Sequence, residues 1–118
     1  MTIRLSSEIK QIIRNIEQAI IDTNYRLIGS ENNKGRLTAA EIENIIKEYI
    51  RDEEKVTPAQ NDYLDNLEAI VIKNTPLPSV HIDYDLWINN RHSDLTLSIR
   101  IQNNKGVIEP EILDLHVI

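Results

Sequence analysis

A chain of 118 residues with a formal charge of −6 and no cysteine rules out several classes before any motif is read. The length suits one domain that buries its own core, and the missing cysteines remove disulfides, zinc–thiolate sites and cysteine nucleophiles. The sequence pI near 5.0 opposes a nucleic-acid surface, which needs a Lys/Arg patch to displace counterions.

At 41% hydrophobic and 27% charged, the composition is that of a globular domain. The stretch Met1–Leu5 has no apolar signal core, and no run reaches the ~18 apolar residues that span a bilayer. No membrane association is expected, and the cytoplasm is the expected compartment.

The first helix is predicted from about Ser7 to Asn24. Ile9, Ile12, Ile13, Ile16, Ala19 and Ile20 recur at helical spacing, with Ser6 or Ser7 as N-cap. Gly29–Gly35 reads as a loop. It is not a phosphate-binding loop, because it follows a helix and lacks Gly-Lys-Ser/Thr. Thr38-Ala39-Ala40-Glu41 is a capping box opening a second helix, whose buried face takes Ile42, Ile45, Ile46, Tyr49 and Ile50. Thr57-Pro58-Ala59-Gln60 predicts another capped start and a short helix to about Asn66. Glu68–Lys73 reads as a strand, broken by Pro76 and Pro78.

The last third alternates strictly, as half-buried strands do. Val80, Ile82, Tyr84, Leu86 and Ile88 share one face, as do Leu95, Leu97, Ile99 and Ile101. Turns are predicted at Asn89–Ser93 and Asn103–Gly106, and Pro110 predicts an edge strand or a bulge near Glu109–Glu111. The fold class is therefore α+β, a single domain. Two to three N-terminal helices would pack on a C-terminal antiparallel meander of three to four strands.

The polar sheet face concentrates the chemistry. Pairing Ile88 with Leu95 would set Asp83 opposite Arg100, Asp85 opposite Ser98 and Trp87 opposite Thr96. A bulge at Pro110 would point Leu113, Leu115 and Val117 inward and bring Asp114 and His116 to the same outer face. The face reads as a solvated surface with cross-strand ion pairs, a partner surface, or a site for acid–base or metal chemistry. His81 and His92 read as an exposed strand residue and a turn residue. Ser93 with its neighbours His92 and Asp94 is no triad, since adjacent residues on one strand cannot converge.

Three separated motifs carry a resemblance. They are Gly35-Arg36-Leu37-Thr38, opening a helix that ends in Tyr49; Asp85-Leu86-Trp87 with Arg91-x-Ser93-Asp94-Leu95-Thr96-Leu97; and Asp114-Leu115-His116-Val117. Together they resemble a family of small bacterial proteins classed only as a domain of unknown function, over roughly Tyr25 to Ile118. The resemblance implies a bacterial source and no established activity, and it draws attention to Trp87, Arg91, Asp94, Asp114 and His116. Arg91 would reach Asp94 or Asp114. The helix-then-meander order is also similar to curved-sheet folds of the nuclear-transport-factor-two-like type, which host enzymes and binders alike.

The expected function is a non-enzymatic protein-binding module, an immunity protein that neutralises a toxin, with no cofactor and no metal. Its partner-binding residues would be Asp83, Asp85, Trp87, Arg91, Asp94, Arg100, Asp114 and His116, facing another protein such as a basic toxin domain. One alternative is a ligand or catalytic pocket in a curved sheet using Asp85, Asp114 and His116. Another is a homo-oligomer built edge to edge through the strand after Leu67.

Overall fold

A computed structural model of the chain describes residues 1–32, 35–72 and 79–118. Its elements run β1 (Thr2–Arg4), α1 (Ser7–Ile21), α2 (Ala39–Tyr49), β2 (Val56–Thr57), α3 (Asn61–Asp65), β3 (Glu68–Ile72), β4 (Ser79–Ile88), β5 (Arg91–Asn104) and β6 (Val107–Val117). Two short 3₁₀ turns, Tyr25–Leu27 and Ser30–Asn32, separate α1 from α2. The architecture is α+β, with three helices and a six-stranded antiparallel sheet.

The sheet is larger than the three or four strands expected. Its order is β1-β3-β4-β5-β6, with β2 also paired to β4. The two extra strands are only three and two residues long, too short to leave an alternation in the sequence. Thr57 lies in β2 and does not cap a helix; α3 begins after Gln60, which makes no side-chain cap. Because β3 pairs with both β1 and β4, it is not a free edge. In that strand β1 covers Glu68–Ile70 and β4 covers Ile70–Ile72. The expected break at Pro76 and Pro78 lies outside the described residues.

The helices form where the local signals place them. Ser6 accepts from the Ile9 N–H at 3.2 Å and starts α1, which ends at Ile21, three residues before the predicted Asn24. Thr38 accepts from the Glu41 N–H at 3.1 Å while Glu41 accepts from the Thr38 N–H at 3.0 Å, completing the capping box of α2. Glu31 adds a second carboxylate at this helix start, accepting from the Ala39 N–H at 2.9 Å. That bond holds the Glu31 carboxyl below its usual range.

Apolar residues of both long helices pack on one sheet face. Ile13, Ile16 and Ile20 of α1 and Ile42 and Ile46 of α2 join Ile82, Tyr84, Leu86, Leu95, Leu97 and Ile99 in one buried cluster. On β6 the inward residues are Ile112 and Leu115. Leu113 is half-buried and Val117 exposed, against the expected Leu113, Leu115 and Val117. The reason is the position of the bulge. It falls at Leu113, between Ile112 and Asp114, and not at Pro110, which pairs regularly with Ile101 on this edge strand.

Gly35 seats the 35–38 segment against β6. It forms a parallel bridge with Ile112, and Arg36 N–H donates to the Ile112 carbonyl at 3.0 Å. A Cβ on Gly35 would sit 2.3 Å from that carbonyl oxygen. Gly35→Ala is expected to cost about 1–3 kcal/mol, because the backbone itself must move. Equal denaturation midpoints for the two proteins would refute the close approach.

Candidate functional site

A tight turn and a bulge build the far end of the sheet. The first hairpin closes with two residues, Asn89 (φ 50°) and Asn90 (φ 64°), and not with the five expected. Asparagine tolerates the positive φ that a tight hairpin turn demands. Ile88 therefore faces Arg91 and Trp87 faces His92. The surplus residues are absorbed further on, where Leu86 alone spans Ser93, Asp94 and Leu95. The Ser93 hydroxyl donates to the Leu86 carbonyl and accepts from the Leu95 N–H at 3.2 Å, replacing lost ladder bonds.

This register corrects the expected pairs. Asp85 lies opposite Thr96, Asp83 opposite Ser98, and His81 opposite Arg100. On the other side Thr96 meets His116, Ser98 meets Asp114, and Arg100 meets Glu111. The outer face is a grid of three rows across β4, β5 and β6. Each row has a short side chain or an arginine in the middle and carboxylate or imidazole groups beside it. Thr96 and Ser98 are buried beneath those longer neighbours.

Partners follow the rows. Asp85 accepts from Thr96 Oγ1 at 2.6 Å and from His92 Nε2 at 2.7 Å. A carboxylate only accepts, so Nε2 carries the proton. Asp83 accepts from Ser98 at 2.9 Å and contacts His81 Nε2 at 3.1 Å. Arg100 donates to Glu111 at 2.8 Å, and Arg36 approaches the same carboxylate at 3.8 Å. The expected Asp83–Arg100 pair is thus replaced by Arg100–Glu111. His116 Nδ1 pairs with Asp114 at 3.1 Å. Arg91 reaches neither Asp94 nor Asp114: Asp94 accepts from the Tyr49 hydroxyl instead.

Trp87 is not an exposed anchor. It is 8% accessible, stacked on His92 (centroids 5.6 Å, planes 10° apart) and met edge-on by Tyr63 at 5.9 Å. Its indole Nε1 is buried with no hydrogen-bond partner among the described residues. Tyr63 comes from α3, which lies between β2 and β3 in the chain. These two strands pair with opposite ends of β4. Its hydroxyl accepts from the Asp85 N–H at 2.9 Å, satisfying a donor that neither strand reaches.

The pocket expected from Asp85, Asp114 and His116 is not assembled. Asp85 and His116 stand on strands separated by β5, about 10 Å apart at typical strand spacing. Acid–base partners need hydrogen-bond reach. Asp85 pairs with His92, which the sequence alone places in a turn. No period or spacing signals that pair; the two-residue turn creates it. Ser93, with its hydroxyl donating to Leu86, is not free to act as a nucleophile beside it. Among the described residues no three His, Asp or Glu side chains converge as a metal site. No helix is long and apolar enough to cross a membrane.

The surroundings of all four tyrosines raise their pKa above the usual value near 10. Burial pushes Tyr63 up to about 12, with the Asp85 carboxylate adding to it. Burial and then the bond to Glu17 raise Tyr84. The bond to Asp94 raises Tyr49, and burial raises Tyr25. A raised acid pKa stabilises the fold fully below the unfolded value near 10, and that stabilisation is lost as pH climbs from there through the higher folded value. Unfolding free energy should therefore fall from about pH 10 upward, with tyrosinate absorbance appearing together with unfolding. Ionisation of Tyr63 and Tyr84 near pH 10 in the folded protein would contradict their burial. Tyr84→Phe should flatten the slope.

Comparison with known proteins supplies a family and no activity. The model of the family described as Domain of unknown function (DUF7668) matches residues 18–118. The chain belongs to that family, and the match takes in the last turn of α1 as well as everything after it. No curated protein and no solved structure matches.

Proposed function

We propose that this domain is a non-enzymatic, cytoplasmic bacterial protein-binding module, an immunity protein whose partner is a basic toxin domain. One observation carries the reading: the outer sheet face, beyond Trp87, is open and presents carboxylates. Asp83 and Asp114 are more than half exposed, at 55% and 56%, on either side of Ser98. A net charge of −6 supports a basic partner, since complementary charge accelerates encounter. The contact residues are Asp83, Arg100, Asp114 and His116. Trp87 supports the end of this face, packed between His92 and Tyr63. Bulges in β5 and β6 bend their strands, which supports a curved sheet of the nuclear-transport-factor-two-like kind. The interface should bury about 1,200–2,000 Å².

The test is an affinity capture from bacterial lysate with the native protein and with Asp83→Lys/Asp114→Lys, both checked by thermal melting. One basic partner should bind the native protein stoichiometrically and dissociate with salt. The charge-reversed protein should bind it at least about tenfold more weakly. Equal capture by both proteins, or no stoichiometric partner, would end this reading.

A further inference from the structure

At the end of the sheet where β5 bulges, a cleft of about 760 Å³ opens between the C-terminal end of α2 and the first hairpin. Its lining includes Tyr49, Arg51, Glu54, Asp85, Arg91 and His92. We propose that this cleft binds a small molecule bearing a phosphate or carboxylate oxyanion, held by Arg51 and Arg91, with His92 beside them.

Its walls are tied together before any ligand arrives. Lys55 N–H donates to the Asn89 side chain at 3.0 Å, and Asn89 N–H donates to the Lys55 carbonyl at 2.9 Å. Asn90 N–H donates to the Thr57 hydroxyl at 2.7 Å, and Tyr49 donates to Asp94. The loop carrying Arg51 and Glu54 is thus bound to the turn carrying Arg91 and His92. Such prior ordering lowers the entropic cost of binding.

A hydrogen-bond account of the lining separates spent groups from free ones. Every side-chain carboxylate of the lining has a donor. Asp85 takes His92 and Thr96, Asp94 takes Tyr49, and Glu54 takes the Arg51 N–H at 2.6 Å. The guanidinium groups of Arg51 and Arg91 have no ion-pair or hydrogen-bond partner among the described residues. By contrast Arg14, Arg36 and Arg100 each meet a glutamate. His92 uses Nε2–H on Asp85, and its ring is fixed by the Trp87 stack, which leaves Nδ1 as an acceptor for a hydroxyl or amino group of the ligand. Two unspent guanidinium forks match the planar, multi-oxygen geometry of carboxylate and phosphate groups. The spare acceptor positions of Asp94 and Glu54 suit hydroxyl or amino groups on the same ligand. The volume falls within the range of small-molecule sites.

This inference is independent of the protein-binding face, because its two arginines lie outside the Asp83–Asp114 row. The experiment is an NMR titration of the full chain with inorganic phosphate and, separately, with acetate, both at constant ionic strength. Side-chain Nε–H signals of Arg51 and Arg91 are followed with the backbone amides. Saturable shifts at Arg51, Arg91 and His92 are expected, with a dissociation constant of about 1–10 mM for at least one probe. Whichever probe binds tighter identifies the ligand as phosphate-bearing or carboxylate-bearing. Arg51→Gln/Arg91→Gln should weaken binding at least about tenfold with an unchanged melting temperature. Should that variant be unstable, Arg51→Lys/Arg91→Lys keeps the charge, loses the fork and should bind with intermediate strength. Linear, unsaturable shifts with both probes, or identical titrations of native and variant proteins, would overturn the proposal.

Discussion

Glu17→Ala is expected to lower the unfolding free energy by about 3–5 kcal/mol. Glu17 is 2% accessible, yet it lies in the core-facing stripe of a helix. Its carboxylate accepts from Arg14 Nη1 at 2.7 Å, from the Ala59 N–H at 3.0 Å and from the Tyr84 hydroxyl. Arg14 continues to Asn61 at 2.8 Å. One side chain therefore joins α1 to β4 and to the segment leading into α3. Alanine would leave a buried phenol and a buried backbone N–H without partners, together with a half-buried guanidinium. Each orphaned neutral group costs about 1–3 kcal/mol. Glu17→Gln keeps the shape and one acceptor oxygen and should cost less. Chemical denaturation of Glu17→Ala, Tyr84→Phe and the double variant gives the coupling, expected at about 0.5–3 kcal/mol. Additive losses would show that the Glu17–Tyr84 bond contributes nothing of its own.

Trp87→Ala is expected to destabilise by about 3–5 kcal/mol, as deletion of a buried indole does. The indole lies between His92 and Tyr63, and removing it leaves a void beneath the Asp85–His92 pair. Trp87→Phe should recover most of the stability while losing part of the stack. Equilibrium unfolding checks both variants; a Trp87→Ala protein as stable as the native one would mean that the ring is dispensable to the fold. Loss of partner binding in Trp87→Ala would follow from this instability alone. Contact between the outer face and a partner is therefore better judged from Asp83 and Asp114, whose exposed side chains add little to stability.

The placement of Trp87 shows where sequence reasoning stops. Alternation correctly assigns it to the face opposite Ile82, Tyr84 and Leu86, and that face was expected to meet solvent. Burial came from α3, five residues long, whose Tyr63 packs against the indole across the open edge of β4. Nothing in the period of β4 reports that a ring from elsewhere will arrive. Glu17 is the converse case. Its neighbours Ile13, Ile16 and Ile20 made the apolar stripe legible, but a carboxylate within it gave no sign of its buried partners Ala59 and Tyr84, 42 and 67 residues away.

Local rules alone were enough for the elements that rest on neighbouring residues. Helices α1 and α2, the Thr38–Glu41 cap and the inward faces of β4 and β5 follow from spacing and short-range hydrogen bonds. These act within a few residues of the chain. Tertiary structure alone decided the register of the first hairpin, the Leu113 bulge, the short strands β1 and β2, and the Asp85–His92 pairing. Alternation keeps its parity when a strand slips by two residues, so the pattern that chose the buried face was blind to which residue stood opposite which. That choice was made by the two-residue Asn89–Asn90 turn and its hydrogen bonds to Lys55 and Thr57.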